Sequence, residues 1–108
     1  MWAKPSNGQL KAIPELYATD GLGLGDKLIY LHFFLGGCDW YVAEFDGEDR
    51  FFGFAILNNN QHNAEWGYFS LQELRDLKVG MLEIYTDKHW DIRPAREIAK
   101  ILACPRGI

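Results

Sequence analysis

Between residues 28 and 56 the chain runs through three β-rich stretches separated by two turn signals, and this constrains the fold more than any other feature. Leu-Ile-Tyr-Leu-His-Phe-Phe-Leu leads into Gly36-Gly37, Cys-Asp-Trp-Tyr-Val-Ala-Glu-Phe leads into Asp46-Gly47, and Arg-Phe-Phe-Gly-Phe-Ala-Ile closes the segment. Branched and aromatic residues suit pleated backbone, while Gly-Gly and Asp-Gly accept the positive φ angles of tight hairpins. Three antiparallel strands are the expectation. Alternation assigns Ile29, Leu31, Phe33 and Leu35 to the core face of the first strand. In the second it sets Trp40, Val42 and Glu44 against Asp39, Tyr41, Ala43 and Phe45. No face of these strands is clearly polar, so one side of the sheet is expected under helices and the other partly covered or ring-lined.

The flanking segments complete an α+β order. Residues 1–9, polar and broken by Pro5 and Gly8, are expected as a loose N-terminal arm. Residues 11–17 read as a short helix or turn limited by Pro14. Gly21, Gly23 and Gly25 form a loop; without a strand before and a helix after, they lack the context of a phosphate-binding turn. After the polar loop 58–63, a fourth strand over 64–69 carries Trp66, Tyr68 and Phe69. Ser70-Leu71-Gln72-Glu73 has the form of a capping box, opening a helix with a stripe of Leu71, Leu74 and Leu77 that Gly80 ends. Residues 81–85 alternate as a fifth strand, and 91–103 read as a second helix with Pro94 in its first turn. The expected architecture is a single domain over 1–108: a small antiparallel sheet of four to five strands with two main helices packed on one face. A chain of 108 residues can bury such a core without disulfide or metal staples.

Charge and cysteine usage exclude several classes. A net charge of -4 argues against direct nucleic-acid binding, which needs a concentrated cationic surface. No apolar run approaches the roughly 18 residues of a membrane span, and the N-terminus lacks the apolar core of a signal peptide. A cytoplasmic protein is the expectation, with Cys38 and Cys104 free and reduced. Nothing in the sequence calls for a cofactor.

Several ordered blocks are familiar in combination. Leu16-Tyr17-Ala18-Thr19, Trp40-Tyr41-Val42-Ala43-Glu44-Phe45-Asp46, Phe51-Phe52-Gly53 and Trp66-Gly67-Tyr68-Phe69-Ser70-Leu71-Gln72-Glu73-Leu74 resemble an uncharacterised bacterial family catalogued as domain of unknown function 2958. The likeness covers residues 16–98 and departs from the pattern in the asparagine-rich insert and the C-terminal tail. It implies a small cytoplasmic protein of plasmids and other mobile elements, and it brings no catalytic residues to transfer.

Two constellations bear on chemistry. The acids Glu44, Asp46, Glu48 and Asp49, with Glu65 on the next strand, could hold a divalent cation for phosphodiester or nucleotide hydrolysis, with His32 as base. Equally, acids at a hairpin tip serve solubility and turn formation. His32, His62, His89 and the two cysteines show no metal-ligand spacing, so no metal site is expected. Trp40, Tyr41, Trp66 and Tyr68 beside Glu44 and Glu65 could form a ring-rich patch with a negative rim, the surface of a protein-binding module, or could fill the core. The preferred expectation is a non-enzymatic protein that binds a protein partner, of mobile-element or nucleic-acid machinery, through an aromatic face and an acidic hairpin rim. The alternatives are the metal-assisted hydrolase and a self-associating module forming a homodimer.

Overall fold

The alternation from residue 28 onward forms the centre of the molecule. A computed structural model describes residues 4–108, with α1 (Asn7–Lys11), β1 (Leu28–Ile29), β2 (Leu31–Leu35), β3 (Cys38–Phe45), β4 (Arg50–Ile56) and β5 (Glu65–Ser70). There follow α2 (Leu71–Asp76), β6 (Lys78–Val79), β7 (Leu82–Glu83), β8 (Tyr85–Thr86), β9 (Arg93–Pro94) and α3 (Ala99–Leu102). One antiparallel five-stranded sheet runs in the order β5-β4-β3-β2-β8, and β1–β9 and β6–β7 form separate pairs. Gly36, at φ +55°, makes the tight turn that pairs Leu35 with Cys38. The second turn is wider than Asp-Gly alone requires: Asp46 Oδ1 accepts from the amides of Glu48, Asp49 and Arg50 at 2.8, 2.8 and 3.0 Å.

The core lies on both faces of the sheet. Leu31, Phe33, Leu35, Trp40, Val42, Phe45, Phe51 and Phe69 form one cluster, joined by Leu71 and Leu74 of α2. Tyr41, Ala43, Phe54 and Ile56 form the other, joined by Ile29, Ala95, Ile98 and Ile101. Leu31, Phe33 and Leu35 are buried together as their alternation requires, but Ile29, expected on the same face, is buried in the other cluster, because the strand is interrupted at Tyr30 and β1 pairs with β9 instead of continuing β2. The two helices, expected together on one face, contribute to opposite clusters, because β5 feeds α2 onto one side while the β1–β9 pair draws the C-terminal segment to the other.

A β-bulge corrects the alternation in β3. Val42 pairs with Gly53 and Glu44 with Phe52, so Ala43 has no partner. One extra residue in a strand reverses the facing of everything after it. Phe45 thereby joins Val42 and Trp40 in the first cluster, and Glu44 lies on the side of Tyr41 and Ala43.

The helical segments are shorter than expected. Residues 91–103 break into β9, a 3-10 turn at Ala95–Glu97 and α3; Pro94 pairs with Leu28 and the Ala95 amide donates to the Lys27 carbonyl at 2.9 Å. Extended backbone at Ile98 divides the turn from the helix. Helix α2 ends at Asp76, and Gly80, at φ +62°, serves the β6–β7 hairpin instead of the helix end. At the N-terminus, the expected loose arm gives way over Asn7–Lys11 to α1, where Ser6 and Gln9 form a reciprocal capping box. The part of the arm at residues 1–3 lies outside the described residues. Among the described residues no helix is long and apolar enough to cross a membrane.

Candidate functional site

The acidic residues do not converge. Asp46 is occupied by its own turn, where burial would raise its carboxyl but three amides and Arg50 hold it below the usual carboxylate range. Asp49 caps α2: its carbonyl accepts from the Leu71 amide at 2.8 Å and its Oδ1 from the Gln72 amide at 2.9 Å. Ser70 Oγ takes the Glu73 amide at 2.9 Å, so three orphan amides of the first turn find acceptors. Glu65 lies exposed and pairs with Arg106 at 3.3 Å. Among the described residues no three His, Cys, Asp or Glu side chains come together in a way that could hold a metal ion. The hydrolase alternative needs Glu44, Asp46 and Glu65 on one ion, and each is held by different partners.

Glu44 is a buried anchor. Its carboxylate accepts from the Tyr17 amide at 2.9 Å, the Thr19 amide at 3.2 Å and the Thr19 hydroxyl, and Lys27 Nζ lies 3.6 Å away. Lys27, equally buried, donates to the Thr19 carbonyl and hydroxyl at 2.7 Å. Burial alone would raise the Glu44 carboxyl, but the Thr19 hydroxyl, the two amides and Lys27 outweigh it and hold it below the ordinary value. This ties down a loop whose Tyr17 has φ +71°, a left-handed backbone that tyrosine seldom adopts.

His32 is similarly committed. Nε2 lies 2.8 Å from Asp39 Oδ1 and Nδ1 lies 3.1 Å from Asp87 Oδ2, while Lys100 Nζ donates to Asp39 Oδ2 at 3.0 Å. Its ring stacks on Tyr41 with centroids 4.6 Å apart and planes 6° apart, and Trp90 covers it at 5.2 Å. With a carboxylate at each nitrogen, the ring cross-links β2, β3 and the segment after β8 and has no nitrogen left to act as base on a substrate. Burial would raise the Asp39 carboxyl, but His32 and Lys100 together bring it below the usual range.

The four rings do not form one patch. Trp40 and Tyr41 are buried on opposite faces of β3, and burial pushes the Tyr41 phenol well up. Trp66 is half-buried and its indole donates to the Gly107 carbonyl at 2.6 Å. Tyr68 alone is exposed, at 52%; its phenol is raised first by a hydrogen bond with Tyr17.

A different concavity gathers part of both sets. A cavity of about 450 Å³ lies beside β5, between α2 and the asparagine-rich loop. Trp40, Ala55, Gly67 and Phe69 line it from the sheet, Asn58, Asn60 and Asn63 from the loop, and Glu65 and Glu73 supply carboxylates. No lysine, arginine or histidine lines it, and among the described residues Glu73 makes no ion pair. Asn58 and Asn59, at φ +52° and +56°, turn the loop toward the sheet, a backbone that asparagine tolerates. Sequence reasoning named Trp40, Tyr68 and Glu65 but missed Glu73, Gly67 and the asparagines. The insert of asparagines was the available signal, since it is a long uncharged polar run placed between two adjacent strands. Compared with protein-family models, curated proteins and solved structures, the chain finds no match.

Proposed function

We infer that this chain is a small binding protein, of the mobile-element context that its resemblance to domain of unknown function 2958 implies, whose partner is another protein presenting a basic segment to the cavity beside β5. One observation carries the reading: the cavity beside β5 has an aromatic floor and two carboxylates, Glu65, which shares Arg106, and Glu73, which has no ion pair among the described residues. A lysine or arginine side chain complements both parts, its stem on the rings and its charge at Glu73, with Glu65 beside it. The acidic rim of the site rests on Glu73, with Glu65 shared with Arg106, in place of the hairpin acids, which are satisfied internally. Basic segments of this kind are carried by nucleic-acid-binding machinery, whose phosphate-facing surface an acidic protein complements.

The test is calorimetric titration with capped seven-residue peptides alternating lysine or arginine with valine, against a control with glutamate in the charged positions. Binding by the basic peptides that weakens with salt, and falls about tenfold in Glu73→Gln, is the expected result. Equal binding of the acidic control, or no effect of Glu73→Gln, overturns the reading.

A further inference from the structure

Strand β5 is the free edge of the five-stranded sheet. It is bonded to β4 alone, in unbroken register from Glu65 to Ser70, and no other backbone bond among the described residues reaches its outer side. Six residues in regular register, with no proline, lysine or bulge, leave a row of amides and carbonyls able to template a further strand. Proteins ordinarily blunt such an edge. The opposite edge, β8, has only two residues.

Gly67 lies at the middle of this edge, opposite Gly53. The two glycines have different reasons for being there. A Cβ on Gly53 would lie 1.9 Å from the Tyr41 carbonyl oxygen, so packing forbids any other residue. A Cβ on Gly67 would meet nothing within 4 Å, and its φ is not in the left-handed region. The fold therefore has no need of glycine at 67, where a branched residue would favour the strand. A strand glycine that makes no bulge and relieves no clash leaves room for the close approach of another backbone or a ligand. Gly67 also lines the cavity, between Glu65 and Phe69 on the same side of β5, so its missing side chain leaves a gap from the open edge to the two carboxylates.

We propose that β5 takes an extended basic segment of the partner as a sixth strand, one lysine or arginine of which crosses Gly67 into the cavity. This rests on the binding reading above and adds to it the backbone mode of recognition. A second copy of the chain is the poorer occupant, since each copy carries a net charge of -4 and the same acidic cavity.

The test uses the basic peptide in two further forms, N-methylated on one alternate set of residues or on the other, together with Gly67→Val. Strand addition predicts a period of two: one methylated form loses at least about tenfold in affinity and the other stays within about twofold of the parent. Gly67→Val keeps or raises the urea midpoint and loses the peptide. Binding that depends on Glu73 yet is indifferent to both methylated forms overturns strand addition and leaves the binding reading standing. Absence of any Glu73-dependent binding removes both. Sedimentation showing a dimer of the free protein that Gly67→Val dissolves overturns the proposal in favour of edge pairing between copies.

Discussion

Glu44 shows how a single carboxylate can be mistaken for chemistry. Its neighbours in sequence suggest an acidic rim, but its oxygens are taken by amides and a hydroxyl 25 to 27 residues away. Substituting it leaves Lys27 buried beside an absent partner and two amides unsatisfied. Glu44→Ala is therefore expected to cost about 3–5 kcal/mol, the range for breaking one side of a buried ion pair, and Glu44→Gln clearly less, because an acceptor remains. Urea denaturation of the two variants measures this, and an unchanged midpoint in Glu44→Ala would remove the anchoring role. The same residue explains why part of the site was illegible. Nothing local announces that Ala43 lacks a partner, since a bulge exists only relative to the neighbouring strand. Trp40 and Tyr41 are the opposite case, because adjacent strand residues face opposite sides, and that rule alone separates them.

At the scale of elements, the β3–β4 ladder makes a strict demand on the sequence. Gly53→Ala drives a methyl into the Tyr41 carbonyl of the central strand β3, which β4 cannot relieve without giving up its register. A loss of at least about 3 kcal/mol, or failure to fold, is expected, against a tolerated Gly67→Ala directly opposite on β5. Paired thermal melts of the two variants check the contrast, and equal melting temperatures would contradict it. The sequence made the strands legible because alternation of large apolar residues within one strand has one structural solution, as at Leu31, Phe33 and Leu35; Ile29 escaped it because the strand breaks at Tyr30. It made α2 legible through Ser70, although Asp49 from the preceding hairpin supplies as much of the cap. The segment 91–103 misled because Pro94 suits a helix start and an extended strand equally, and the choice was made by Leu28, more than sixty residues earlier.

For the whole molecule, three carboxyls held below their ordinary range set the response to acid. Asp39, Glu44 and Asp46 each bind a proton less readily in the folded chain than in the unfolded one. Their contribution is complete above the unfolded values near pH 4 and is lost as pH falls through the lower folded values. The urea midpoint is thus expected to be insensitive to these groups above about pH 5 and to drop steeply below about pH 4, with a shallower drop in Asp39→Asn. A midpoint that does not fall between pH 4 and pH 2 would contradict the assignment. Asp39 also joins distant parts of the chain through His32 and Lys100, a juxtaposition that no spacing in the sequence reveals.

The bulge in β3 has one more implication, for how chain length relates to the sheet. With Ala43 taken out, Val42 and Glu44 become neighbours, and every residue on either side already faces as an uninterrupted ladder would have it. Ala43 is thus a surplus residue for the sheet, and deletion there is the shortest edit that keeps all the paired strands in register. What such an edit gives up is the local bend that aims Glu44 at Tyr17 and Thr19. One alanine, dispensable to the strand that contains it, is what the distant loop depends on.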